Sequence, residues 1–163
     1  MPGKFDWKAL VICLLAVYAF AALGSIFTFR SVNSPWYDSI KPTITPPNWV
    51  FPVVWNILFL LIAASLFLLW TARFRNKKHR EISRKRVALA FGINLFLNTL
   101  WSALFFGLKS PAASLFELAV LWISIIAMIF TAYRIRKISA YLLLPYGLWV
   151  IFAGILNAII VFI

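Results

Sequence analysis

The chain has 163 residues, of which 64% are hydrophobic and 12% charged, and its net charge is +12. Soluble domains carry roughly 25% charged residues, so the composition excludes an ordinary water-soluble globule and leaves room for one domain. The positive excess has no accompanying aromatic or base-reading pattern and does not point to nucleic acid.

A bilayer crossing needs about 20 apolar residues. Residues 9–29, 42–72, 87–108 and 138–163 are free of charge, and 110–133 carries only Glu117. An all-α integral membrane protein is expected, with one domain over residues 1–163. Its five transmembrane helices fall at about 8–29, 49–72, 87–107, 112–133 and 140–162. The first is too long, and ends in residues too bulky, for a cleavable signal peptide. It is apolar all round and reads as a packing or lipid-facing helix, with Trp7 at the interface. Its Cys13 is the single cysteine, so no internal disulfide can form.

Residues 35–55 hold five of the eight prolines, three of the eight tryptophans and one of the four acidic residues. Proline at that density does not continue a helix. The stretch reads as one long non-helical segment whose first part, within a loop over 30–48, forms a lid. Asp38 and Lys41 would pair if that piece makes a helical turn. Pro46 and Pro47 would set up the second helix, which carries Trp55 and Phe59 on one face.

Residues 73–86 read as a basic loop, in which His79 is a solvated side chain. In the third span Asn94, Asn98 and Ser102 recur every fourth residue and form a polar stripe, with Trp101 beside it. Amides at that depth turn to the bundle interior, either as interhelical glue or as a cavity wall. Ala88 and Gly92 make a small-residue pair that would support helix association. Glu117, about 8 Å into the fourth span at 1.5 Å per residue, is either a functional carboxylate or a group bonded at the interface or to a neighbouring helix. In the last span Pro145 is expected to kink the helix. Trp149, Ala153 and Asn157 share one face, and the alanine leaves space.

The basic residues divide unevenly. Lys4, Lys8, the cluster 73–86, Arg134, Arg136 and Lys137 fall on one side and make up 13 of the 16; Arg30, Lys41 and Lys109 fall on the other. The positive-inside rule puts the N-terminus in the cytoplasm and the first loop and C-terminus outside. Contact of the basic loop with anionic headgroups is a further expectation.

Three motifs resemble one family. Trp36-Tyr37, Lys41-Pro42, Pro46-Pro47-Asn48-Trp49-Val50-Phe51 and Trp55 are similar to the first-loop signature of the translocator protein family, the TspO or peripheral-type benzodiazepine receptor family. Asn94, Asn98, Trp101, Ser102 and Phe105-Phe106-Gly107 resemble its third-helix signature. Pro145-Tyr146, Trp149, Phe152, Ala153 and Asn157 resemble its fifth. The resemblance covers about residues 30–157. It implies a five-helix bundle, usually a homodimer of prokaryotic type here, whose pocket under the first loop binds porphyrin, haem or drug-like aromatic ligands. The ligand-binding positions it implies are Trp36, Tyr37, Pro46, Trp55, Phe59, Asn94, Leu97, Asn98, Trp149 and Ala153. The tyrosine-then-arginine sterol motif of animal members is absent from 158–163.

The leading expectation is a receptor or transporter-like binder of tetrapyrroles in a prokaryotic cell membrane. No intrinsic cofactor, metal site, hydrolytic triad or phosphate loop is expected; porphyrin or haem enters as ligand. The alternative is an enzyme that degrades porphyrin with light and oxygen, with Trp55 and Trp149 as the catalytic candidates. A third reading is a stress-signalling scaffold that contacts a partner through residues 73–86.

Overall fold

The computed structural model describes residues 6–74 and 76–162. Lys4 and Arg75, which enter the charge division, lie outside the described residues, as does Ile163. Among the described residues helix is the only regular secondary structure, and five stretches are long and apolar enough to cross a membrane.

Helix α1 spans Trp7–Ser31, with Asp6 capping its first turn by accepting from the Ala9 amide at 3.0 Å. Its buried residues Ala9, Cys13, Val17 and Gly24 form a narrow stripe, while Val11, Ile12, Leu15, Leu23 and Ile26 are exposed. Both readings of this apolar helix therefore hold, packing on one face and lipid on the rest. At Gly24 the helix closes on Ser102, whose Oγ would lie 3.4 Å from an added Cβ.

The expected long non-helical stretch is corrected by a short helix, α2 (Pro35–Ile40). Ser34, held extended by the following proline, is also in the right conformation to cap, and its Oγ accepts from the Tyr37 amide at 3.3 Å. Pro35 then occupies the first helical position, where its missing N–H costs no intrahelical bond. Lys41, extended before Pro42, ends the helix, and Asp38 and Lys41 pair at 2.6 Å. Helix α3 (Val50–Trp70) follows a turn in which Val50 N donates to Pro47 O. Only the nine residues 41–49 between α2 and α3 are non-helical.

Helix α4 runs Lys77–Ser102, with Asn76 accepting from the His79 amide at 2.8 Å. The expected basic loop over 73–86 is thus mostly helix. Lys, Arg and Glu are good helix formers, and the apolar run marks where the helix enters lipid rather than where it begins. A π-helical turn at Ala103–Gly107 continues α4. The chain reverses at Lys109, whose φ of 52° is left-handed. Helix α5 (Pro111–Ile135) packs antiparallel to α4.

The last crossing is two pieces, α6 (Lys137–Tyr141) and α7 (Leu144–Phe162). Pro145 lies in the first turn of α7, so the expected kink is a full break. Without an N–H, Pro145 cannot donate back to Tyr141, and the helix restarts around it. Buried Ser65 on α3 donates to Ser139 O at 2.9 Å and ties α6 to the bundle. The main core, which includes Ile62, Leu69, Val87, Phe91, Ile125, Met128 and Leu143, fills the half of the bundle away from α2.

Candidate functional site

In the half nearest α2 the helices separate around a cavity of about 810 Å³. Helix α1 supplies Tyr18, Gly24 and Thr28; α3 supplies Phe51, Trp55, Asn56 and Phe59; α4 and its π turn supply Asn98, Trp101, Ser102, Phe105 and Phe106; α7 supplies Trp149, Ala153 and Asn157. The cover is Val32, Asn33, Tyr37, Pro42, Thr45 and Asn48.

That cover is fastened to the bundle. Asn48 donates to Val32 O at 3.1 Å and to Asn33 Oδ1 at 2.9 Å, bridging the two ends of the lid. Tyr37 is buried edge-on against Phe105 and Phe106. Burial first, and the neighbouring Asp38 carboxylate second, raise the pKa of its hydroxyl, so the ring packs as a neutral phenol. Trp36 lies edge-on to Phe105 at 5.8 Å, with Lys109 Nζ 5.8 Å above its ring.

The π turn sets this geometry. Its extra residue per turn lets two consecutive aromatics, Phe105 and Phe106, meet Trp101, the first stacked at 5.3 Å and the second edge-on at 5.9 Å. The Phe106 carbonyl accepts from Ser31 Oγ at 3.2 Å, joining the end of α1 to the turn. π bulges concentrate at functional sites because they re-aim side chains in this way. At Gly107 an added Cβ would lie 2.9 Å from Phe27 Cδ1, so any larger residue here has to push the Phe27 ring aside.

Six expected ligand-binding residues, Tyr37, Trp55, Phe59, Asn98, Trp149 and Ala153, meet at this cavity. Four do not line it. Trp36 anchors the lid from outside. Pro46 belongs to the turn before α3 and is half-buried there. Asn94, fully buried one turn deeper than Asn98, donates to Ser124 Oγ at 2.8 Å and binds α4 to α5. Leu97 is rotated about 100° from Asn98 on the same helix and joins Ala88, Gly92 and Phe96 along a shallow outer groove. The asparagine stripe therefore divides into interhelical glue at Asn94 and cavity wall at Asn98 and Ser102. Asn98 Nδ2 in turn donates to Tyr146 Oη at 3.3 Å.

Sequence reasoning left out Tyr18, Phe51, Asn48, Asn56, Trp101, Phe105 and Phe106 as lining residues. Trp101 was legible, because it lies three residues after Asn98 and four before Phe105. The π turn that adds Phe106 has no such signal. Asn157 lies at the wall with its amide against the start of α5. Turned to satisfy both ends, it donates to Pro111 O at 3.0 Å and accepts from the Leu115 amide at 3.1 Å. Glu117, one turn farther along α5, is buried behind this wall, and neither of its oxygens has a protein partner.

Chemically the cavity is an aromatic box. Trp55 stacks on Phe59 at 5.4 Å, and Trp149 is braced by Phe51 and Phe152. Its polar groups are few. Among them, the Trp101 indole N–H and the Thr45 hydroxyl are buried without a protein partner.

The sequence was compared with known proteins. The model of the TspO/MBR family matches residues 11–163. The chain is 43% identical to the tryptophan-rich protein TspO of Archaeoglobus fulgidus over 149 residues, covering 91% of this chain and 92% of that protein. It is 35% identical to the protein CrtK of Rhodobacter capsulatus over 150 residues, 90% and 89% of the two chains. The translocator protein of Bos taurus is 29% identical over 139 residues, 83% and 78% of the two chains. With a family match across nearly its whole length, the chain belongs to the TspO/MBR family of integral membrane proteins.

Proposed function

We propose that the protein is a membrane receptor or transporter-like binder of tetrapyrroles and other flat aromatic ligands, held in the cavity beneath α2. The observation that carries this reading is the cavity itself. Its volume of about 810 Å³ lies within the range of small-molecule sites, and its wall combines several indole and phenyl faces with a few fixed polar groups. Trp55 and Trp149 would clasp a macrocycle, while Asn98 and the free Trp101 N–H would orient its polar edge. Titration of the purified protein with protoporphyrin and with haem in the dark, followed by tryptophan quenching, tests it. Saturable binding that weakens in Trp149→Ala and Trp55→Ala is expected; binding indifferent to both variants would move the site elsewhere.

The presence of two indoles at the cavity, from α3 and α7, supports a second reading, light- and oxygen-dependent breakdown of bound porphyrin at Trp55 and Trp149. Under illumination porphyrin absorbance would then decay with wild type and persist with Trp149→Phe. Equal decay in both proteins, or decay matching free porphyrin in detergent, rejects it.

In the membrane, the basic end is taken to face the cytoplasm and the lid the opposite side. A homodimer would use the outer α4 groove, where Gly92 has open space around its Cα. Cross-linking through Gly92→Cys in a Cys13→Ser background tests that contact; a purely monomeric product removes it.

A further inference from the structure

The lid end of the bundle is accounted for by the cavity, whereas the opposite end holds most of the charge. We propose that this opposite end is a docking collar for anionic lipid headgroups, centred on the first ten residues of α4.

Helix α4 starts at Lys77, well before its charge-free stretch at 87. At 1.5 Å per residue this extension adds about 15 Å of helix. Lys77, Lys78, Arg80, Lys85 and Arg86 are exposed along it. Arg84 is not free. It donates to Trp70 O at 2.8 Å and lies 5.0 Å over the Trp70 ring, closing the end of α3.

Two observations separate this surface from a merely solvated face. Cations at a helix N-terminus oppose the macrodipole and weaken the helix. Lys77, Lys78 and Arg80 occupy that end, Glu81 is the only acid in the segment, and none of the four enters an ion pair among the described residues. Asn76 caps the backbone here, but no acidic side chain among the described residues offsets these charges, as on surfaces built for a partner. Anionic phosphates would satisfy both the cations and the helix end.

The second observation is depth. On α5 Arg134 lies 4.3 Å over the Phe130 ring, and on α6 Lys137 lies 5.5 Å over the Tyr133 ring. Cationic stems resting on aromatic rings at the end of a membrane span are the arrangement that holds charge at headgroup level. Positive charge is thus carried at the same end of three helices. That layout fits the many phosphates of a bilayer surface rather than one small anion.

The test titrates the full-length protein, in neutral detergent, with phosphatidylglycerol, phosphatidylcholine or inorganic phosphate and counts bound lipid by native mass spectrometry. Phosphatidylglycerol is expected to bind about tenfold more tightly than phosphatidylcholine at low ionic strength, and the preference is expected to collapse as salt is raised. The variant K77Q/K78Q/R80Q/K85Q/R86Q should lose the preference, while R30Q/K41Q/K109Q at the lid end should keep it. If the fivefold variant does not fold, K77Q/K78Q and the salt dependence of wild type give the same decision. Equal affinity for both lipids overturns the proposal, as does a preference that survives neutralisation or disappears equally in the lid-end variant. Inorganic phosphate competing as well as phosphatidylglycerol would mark a free-anion site and also overturn it.

Discussion

The two halves of the bundle are built on opposite principles. Away from the lid, α3, α4, α5 and α6 fill their interior with aliphatic side chains, and Ile62, Ala63, Met128 and Leu143 are wholly buried. Towards the lid the same helices carry large aromatics that brace one another in pairs and leave a cavity between them. Close packing resists truncation poorly because nothing fills the void. Braced rings tolerate the loss of one partner better, because a cavity is already there. The first half supplies stability, and the second supplies a shape.

The contrast breaks most visibly at Ile62. Ile62→Ala should lower stability by about 2–5 kcal/mol, read as thermal unfolding in detergent, while porphyrin affinity per folded protein stays unchanged. If affinity falls with stability, the halves are not separable. Gly107→Ala should cost about 1–3 kcal/mol by forcing Phe27 aside, and the loss should vanish in a Phe27→Ala background. Trp149→Ala should weaken porphyrin binding about tenfold, the usual scale for truncating an aromatic anchor, with little change in unfolding temperature. Trp101→Phe removes a buried N–H that lacks a protein partner, so stability should hold or rise by about 1 kcal/mol; weaker porphyrin binding in this variant would identify the N–H as a ligand contact. Lys109→Met should cost the lid about 0.5–1 kcal/mol of cation–π attraction, detected as faster amide exchange across residues 35–40 and nowhere else.

Much of this architecture is legible in the sequence because the bilayer imposes few rules and imposes them strictly. Five apolar runs gave five crossings, and the Asn98–Ser102 and Trp149–Ala153 spacings placed side chains on the faces that meet at the cavity. What stayed hidden followed local chemistry rather than hydropathy. Proline density suggested an irregular lid, whereas Ser34 and Pro35 together start a helix. The charged segment before residue 87 has no hydropathy signal to mark it as helix, although Asn76 caps it and its residues favour helix. Asn94 and Asn98 share a stripe yet have different roles, since depth along α4 and the position of Ser124 on another helix separate them. No one-dimensional pattern encodes that depth.

The π turn at Ala103–Gly107 has a consequence for sequence change. A single-residue deletion within it would let α4 close with ordinary helical bonding, and the local backbone would gain regularity. The turn would then present one side chain fewer, and Phe105 and Phe106 could no longer both meet Trp101. Phe106 would swing away from Tyr37, its carbonyl would leave Ser31, and the lid would lose its seat. A chain shortened by one residue here would be a better helix and a worse container, so the irregularity fixes the length of this segment in this bundle.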